Sequence, residues 1–203
     1  MHPNPVFHTK QAKENLAFAR DRGFGVLAVD GPLLAHIPFV VTEDSQKVEL
    51  HLMRSNPIAR VKPDPQAVIA VSGPDAYVSP DWYDTLDQVP TWNYVAVHLR
   101  GRLERLPDQA LRPLLDRLSL EFESRMAPKQ PWQSNKMTPD ALERMLRMIV
   151  PFQLHIEDIQ GTWKLGQNKP KQARNGAAAG IDSFGIGSNV HNIAALMRDN
   201  SGE

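Results

Sequence analysis

A long alternating segment, residues 93–106, is the feature of this sequence that most constrains its fold. Apolar and polar side chains take turns along it, and a period of two is typical of a half-buried β-strand. The polar face carries an aromatic ring, a histidine and two arginines, which a face in contact with solvent alone does not need. We therefore expect this strand to border a functional site. The apolar face holds Val95, Val97, Leu99 and Leu103, and the other face holds Tyr94, His98, Arg100 and Arg102.

The rest of the chain contains more strands than helices. Six or seven strands joined by short turns, with helices added mostly late in the chain, predict a mainly β fold of the α+β class. We expect a closed antiparallel barrel with helices on its outside. Strands are expected at 24–29, 33–41, 47–53, 66–72, 93–106 and 152–165, with 76–78 either extending the fourth of them or forming another, and helices are expected at 9–22, 57–60, 111–122 and 138–150.

Composition narrows the class of protein. The formal net charge is zero, so no overall field attracts nucleic acid or an anionic membrane. Cysteine is absent, which excludes disulfides and thiol nucleophiles. The N-terminus lacks a signal-peptide pattern and no apolar run reaches membrane-spanning length, so we expect a cytoplasmic location and no membrane contact. Residues 182–203 are expected to form a C-terminal tail with a short, partner-dependent helix.

Strand 33–41 contains two unusual residues, His36 and Pro38. A lone histidine in an apolar strand is more often a core residue bonded to backbone than a ligand, and both interpretations stay open. Proline removes a hydrogen-bond donor from the strand, so we expect an edge or a gap in pairing at Pro38. A ligand can dock at such a gap.

The junction after strand 47–53 is a candidate anion site. Arg54 and the hydroxyl of Ser55 lie where the strand ends, and Asn56 followed by Pro57 is a typical start of a helical turn. Free backbone N–H groups together with arginine suit phosphate. The alternative is an ordinary capped turn with a solvated arginine.

Two aromatic and polar clusters are further candidates. Trp82-Tyr83 and Trp92-Asn93-Tyr94 can wall a planar heterocycle, or else fill a core or a dimer interface. The segment 163–168 contains Lys164 and Gln167, which can form a polar clamp or simply end a strand. No local spacing supports a metal site, a glycine-rich phosphate loop or a nucleophile elbow.

These segments together resemble the PaiB family, also called FMN-binding negative transcriptional regulators. The resemblance spans about residues 1–181, which it makes one domain. One departure is Gly166, where relatives usually carry serine, so a hydroxyl contact is missing there. The matching segments are 35–38, 51–57, 73–83, 89–98 and 163–168.

The resemblance implies a split β-barrel of the pyridoxamine-phosphate-oxidase-like type. Such barrels are homodimers with flavin sites at the subunit interface, and FMN is the implied cofactor. Two neighbouring strands and the turn after them would hold the phosphate, while the aromatic segment would line the ring or come from the neighbouring subunit. The implied cofactor-binding residues are His36, Ile37, Pro38, His51, Arg54, Ser55, Asn56, Trp92, Asn93, Tyr94, Lys164 and Gln167.

The resemblance also implies a negative regulator of transcription. We find no helix-turn-helix with a basic recognition face, so DNA as a partner rests on the resemblance alone. The nearest basic surface comprises Lys164, Lys169, Lys171 and Arg174. Two alternatives stay open: an FMN-dependent oxidoreductase acting on a small molecule, and a barrel that binds haem through a histidine. Whether the protein is an enzyme is left open at this point.

Overall fold

The computed structural model describes residues 1–61 and 63–199. Within these ranges, seven strands and five α-helices follow one another, with short 3₁₀ turns that include Pro57–Arg60 and Pro80–Tyr83. The strands are β1 (Phe24–Val29), β2 (Leu33–Val41), β3 (Lys47–Met53), β4 (Gln66–Val78), β5 (Thr91–Arg105), β6 (Ile149–Lys164) and β7 (Gly187–Ser188). The helices are α1 (Ala12–Arg22), α2 (Leu111–Glu123), α3 (Pro139–Leu146), α4 (Lys171–Phe184) and α5 (Val190–Asp199).

The strands form one sheet in the order β1-β2-β3-β6-β5-β4-β7. Strand β1 also pairs with β4, so the first six strands close a circuit. The pairs β1–β2, β2–β3, β3–β6 and β1–β4 are all antiparallel. This confirms the predicted barrel, and β7 extends it by pairing outside the circuit with β4.

The alternation that predicted β5 decides which side chains enter the core. Its apolar face is buried, and three of the four polar-face side chains are half-buried while Arg100 is exposed. The same alternation holds on the neighbouring strand β4 and on β1. Fully buried side chains of the barrel include Leu27, Ile37, Phe39, Leu50, Ile69, Leu99, Leu103 and Leu154.

Close contacts divide the chain into two compact units. The larger unit comprises residues 16–71 and 98–159, with β1, β2, β3, α2 and α3. Within it, Arg117 of α2 donates two hydrogen bonds to the Glu49 carboxylate of β3, at 2.8 and 2.7 Å. Because the Glu49 side chain is almost fully buried, this bidentate pair fixes α2 against the strand.

Within the described residues, the smaller unit comprises 1–15, 72–97 and 160–199. Helix α4 carries glycines at 176 and 180, and a Cβ at Gly180 would come within 2.3 Å of the Trp82 ring. The missing side chains therefore let the helix approach that ring closely. Helix α5 packs on α4 and buries Ile193, Ala194 and Met197 completely.

The tail expected at 182–203 thus contains a helix whose apolar face is covered by α4 of the same chain. Residues 200–203, the end of that expected tail, lie outside the described part. None of the described helices has both the length and the apolar character needed to cross a membrane.

One open alternative is decided, and one predicted boundary is wrong. Residues 66–78 form one strand, so 76–78 extend the strand that begins at 66 through Gly73 and Pro74. Ile149 and Pro151 belong to β6 and not to the end of α3, because residues 149–155 pair in register with β3. Helix α4 was not predicted, since its small side chains leave no clear apolar stripe in the sequence.

Candidate functional site

Strand β2 changes its pairing partner at Pro38. Residues 33–38 pair with β1, and residues 39–41 pair with β3. On β3, residues 51–53 pair with β6, and no described pairing joins them to β2. The gap predicted at Pro38 is confirmed. We call the opening between residues 33–38 of β2 and 51–53 of β3 the β2–β3 seam.

The outer face of the seam is apolar and open. Leu34 is 63% exposed, Phe24 of the adjoining strand 48% and Met53 44%. A single exposed apolar residue is common, but three on the outer faces of strands that border one opening point to a binding surface. None of these three residues was a candidate in the sequence, although the period of two places each of them on the outer face of its strand.

His36 lies on this outer face. It is exposed and stacks on Phe24, with ring centroids 6.4 Å apart and an angle of 27°. The interpretation of His36 as a core histidine is therefore wrong. Its neighbour Ile37 is fully buried, so only its backbone can reach a ligand, and Pro38 is half-buried.

His51 borders the seam on β3 and carries an unsatisfied nitrogen. Its Nδ1 is buried and has no hydrogen-bond partner within the described structure, and the same is true of Nδ1 of His98 on β5. Burial lowers the pKa of both imidazoles. A buried polar atom without a hydrogen-bond partner destabilises the protein, so a ligand that supplied such a partner to His51 Nδ1 would bind more tightly.

The lowered pKa values predict a loss of stability in acid. In the unfolded chain these histidines become protonated below a pH of about 6.5, whereas in the folded chain they become protonated only at a lower pH. Since the unfolded state then holds more protons, the free energy of unfolding should fall as pH drops below about 6.5, by at most about 1.4 kcal/mol per pH unit for each histidine. Urea unfolding at several pH values measures the slope.

The double variant His51→Gln, His98→Gln should have a shallower slope than the wild type. His36→Gln serves as the matched control, because it removes an exposed imidazole from the neighbouring strand β2. An unchanged slope in the double variant would contradict the assignment of the acid sensitivity to these two buried rings.

The turn after β3 brings Arg54, Ser55 and Asn56 to one end of the seam. Arg54 and Ser55 are exposed, and the Asn56 side chain accepts a hydrogen bond from the backbone N–H of Ile58 at 2.9 Å. The Arg54 guanidinium donates to the carbonyl oxygens of Arg147 at 3.1 Å and Ile149 at 3.2 Å. The Arg54 side chain is therefore hydrogen-bonded to the protein itself, and it is neither freely solvated nor without a partner in the absence of a ligand.

The remaining predicted site residues lie in the smaller unit. Trp92 is 43% exposed and makes an edge contact with Tyr77, with centroids 6.2 Å apart. Tyr94 is half-buried on the same outer face of β5. Asn93 faces inward, is 1% exposed, and donates to the Met197 sulfur at 3.3 Å. Trp92 and Tyr94 can line a ligand, whereas the Asn93 amide already has a partner in α5.

Lys164 and Gln167 are also engaged within their own unit. Lys164 Nζ donates to the Thr91 hydroxyl and to the Trp92 carbonyl, the latter at 2.7 Å, and burial lowers its pKa. Gln167 accepts from the Leu165 N–H at 2.8 Å and donates to the Trp163 carbonyl. Both side chains hold the end of β6 in place, so any contact with a cofactor would be added to these bonds.

The described residues fit a flavin mononucleotide. The β2–β3 seam offers an apolar face for a planar ring, His51 offers an unsatisfied nitrogen, and the Arg54 turn offers cationic donors for a phosphate. Among the described residues, no group of three or more potential ligand side chains could hold a metal ion. The strands close a barrel circuit, and the circuit opens where β2 changes its partner. With these groups around the opening, the fold belongs to the class of split β-barrels.

Comparison with known proteins gives the family. The model of the family described as "Putative FMN-binding domain" matches residues 1–158. The chain is 32% identical over 169 residues to "Protease synthase and sporulation protein PAI 2" of Bacillus subtilis, covering 80% of each chain. The chain therefore belongs to this PaiB-like, FMN-binding family, as its sequence motifs predicted, and FMN is its cofactor.

Other proteins are similar to this chain in sequence or in fold. An uncharacterised protein of Emericella nidulans is 26% identical over 211 residues, covering 82% of this chain and 84% of its own. The FAD and heme binding protein from Mycobacterium smegmatis has a similar structure, with a TM-score of 0.54 and 18% identity over 89% of this chain and 80% of its own. The flavocytochrome Anf3 from Azotobacter vinelandii has a TM-score of 0.51 and 14% identity, covering 79% and 74%. At such identities the structural likeness concerns the fold, and it confirms the predicted split barrel.

Proposed function

We propose that the protein is a homodimeric FMN-dependent redox protein acting on a small molecule. The observation that carries the proposal is the open, apolar β2–β3 seam beside an unsatisfied His51 nitrogen. The flavin supplies the electron and hydride transfer when bound, and the protein supplies position and electrostatics. The seam covers the ring, and the turn at Arg54 binds the phosphate.

The protein's own residues would set the conditions of that chemistry. His51 stays neutral at pH 7 because burial lowers its pKa, so it places no positive charge beside the ring. Its Nδ1 is free to accept or donate one hydrogen bond, depending on the tautomer. Once the outer face of the β2–β3 seam is covered, its apolar side chains would exclude water from the ring. These side chains are Phe24, Leu34 and Met53.

Dimerisation would cover that face. The outer surface around Leu34 is apolar and exposed, which suits a second copy of the chain better than solvent. Leu34→Glu should therefore produce monomers, measured by sedimentation velocity, and should weaken FMN binding with them. Leu86→Glu is the matched control, since Leu86 is 89% exposed in a loop far along the sequence. A Leu34→Glu variant that remained dimeric would contradict this interface.

Direct binding of DNA has less support from the positions of the basic residues. Arg174 is 4% exposed and donates to the Met197 carbonyl at 2.8 Å. Lys164 is tied to Thr91, and Lys169 to Gln88 and to the Tyr83 ring. Of the basic surface considered in the sequence, Lys171 alone is exposed. Phosphate-driven affinity needs several free cations on one face.

The redox proposal is tested by anaerobic reduction of the FMN-loaded protein. Reduced nicotinamide cofactors should bleach the bound flavin faster than they bleach free FMN, and a suitable small-molecule acceptor should restore its colour. Bound FMN that is reduced and reoxidised no faster than free FMN, across a panel of donors and acceptors, would contradict a catalytic role.

The second candidate is a negative transcriptional regulator, favoured by the 32% identity to the Bacillus PAI 2 protein. A gel shift with DNA from upstream of the protein's own gene, at physiological salt and with or without FMN, tests direct repression. A shift that requires FMN would support a flavin-dependent regulator. Absence of a shift in both conditions would leave regulation only through a partner protein.

A further inference from the structure

We propose that the phosphate of FMN and the junction between α3 and β6 compete for Arg54, so that binding the cofactor releases the C-terminal end of α3. This inference rests on the proposed phosphate site at Arg54. It concerns what else that arginine does when no phosphate is bound.

Arg54 contacts three consecutive backbone carbonyls where α3 stops and β6 starts. Its Nε donates to Arg147 O at 3.1 Å, its backbone N–H to Met148 O at 2.8 Å, and its Nη2 to Ile149 O at 3.2 Å. Nη2 also lies 3.4 Å from the Asp108 carboxylate. The last carbonyls of a helix lack partners within the helix and carry partial negative charge. Through the carbonyl of Arg147, the C-cap residue of α3, Arg54 therefore caps the helix from the turn after β3.

Helix α3 has little else to hold it in place. None of its eight residues is buried. Met145 in the helix and Met148 just beyond it are 56% and 54% exposed. Only Ala141, Leu142 and Leu146 are half-buried. Since helices in proteins owe most of their stability to tertiary packing, a short helix with only a half-buried face depends more strongly on its end contacts, and the Arg54 guanidinium supplies one of them.

The atoms that Arg54 uses bring a bidentate phosphate into competition with its present partners. An arginine binds a phosphate with two parallel N–H groups, either side-on through Nε and Nη2 or end-on through Nη1 and Nη2. The end-on arrangement takes one of the two Nη2 hydrogens and places the phosphate beside the Asp108 carboxylate, where like charges repel, so the side-on arrangement is favoured, and its Nη2 here serves Ile149 O. The side-on arrangement also requires Nε, which serves Arg147 O. A charged phosphate forms stronger hydrogen bonds with a guanidinium than neutral carbonyls do, so it displaces them.

The expected effect is a coupling between cofactor binding and the order of α3. Such couplings typically change an equilibrium by about fivefold or more, and they act in both directions. Backbone amides of residues 145–149 should then exchange with solvent deuterium about fivefold faster in the FMN-bound protein than in the free protein. Amides of α2 (Leu111–Glu123), which is held by the Arg117–Glu49 pair, should not change.

Hydrogen–deuterium exchange with mass spectrometry tests this, with FMN and riboflavin each added to saturation as judged by flavin fluorescence. Riboflavin lacks the phosphate, so it should leave residues 145–149 unchanged. The variant Arg54→Ala should exchange fast at these residues with or without FMN. Retained FMN with unchanged or slower exchange, or an equal rise with riboflavin, would overturn the competition and leave the redox proposal intact. A protein that retains no FMN would overturn both.

Discussion

Replacing Arg54 by alanine should lower the affinity for FMN by about 1.5–3 kcal/mol, the usual contribution of a hydrogen bond to a charged group. That corresponds to about a 12- to 150-fold rise in Kd. The physical reason is the loss of the cationic donors at the turn after β3. Because the effect acts on the phosphate, the affinity for riboflavin should hardly change, and the difference between the two flavins should shrink by the same factor.

Arg60→Ala is the matched control for this prediction. Arg60 is an exposed arginine at the end of the same 3₁₀ turn, so its loss removes a charge of the same sign nearby. Fluorescence titration of FMN and riboflavin against the three proteins measures all the affinities. Equal losses in Arg54→Ala and Arg60→Ala would indicate a general electrostatic effect, and the assignment of the phosphate to Arg54 would be wrong.

Replacing Gly101 by alanine should destabilise the protein by about 3 kcal/mol or more, at the upper end of the cost of overpacking a core. Gly101 lies in β5, and a Cβ there would come within 1.7 Å of the His155 carbonyl oxygen and 3.1 Å of the Glu157 nitrogen. These are backbone atoms of β6, so they cannot turn aside as a flexible side chain could. The two strands must separate locally to make room.

Urea unfolding of Gly101→Ala and Gly31→Ala provides the comparison. Gly31 lies in an open turn, where the nearest atom to an added Cβ is 3.8 Å away. Its φ of +115° still makes alanine unfavourable, at a cost of about 1–3 kcal/mol. A Gly101→Ala protein as stable as the wild type would show that β5 and β6 do not approach each other as closely as described.

Local patterns were sufficient to predict most of the barrel. The period of two along β3 and β5 identified their buried faces, and Pro38 indicated the gap where β2 changes partner. The family motifs indicated the flavin. Each of these signals lies within a few consecutive residues, which is why sequence reasoning can detect it.

Other features depend on contacts between distant parts of the chain. The carbonyl partners of Arg54 lie more than ninety residues further on, so no local pattern could show that this arginine caps α3. The period of two places Asn93 on the inward face of β5, but its partner Met197 lies 104 residues further on. Helix α4 approaches Trp82 through glycines, and glycine is a poor helix former in a sequence. Ile149 and Pro151 look like a helix end until their pairing with β3 is known.

We propose that this split barrel holds FMN through its phosphate at the end of the β2–β3 seam. The visible absorption spectrum of the purified protein tests it most directly, recorded after FMN or riboflavin has been added and unbound flavin has been removed by gel filtration. We predict that FMN bands elute with the wild-type protein, and that riboflavin is largely lost during filtration. A protein that elutes colourless after FMN addition, or that retains both flavins equally, would contradict the account.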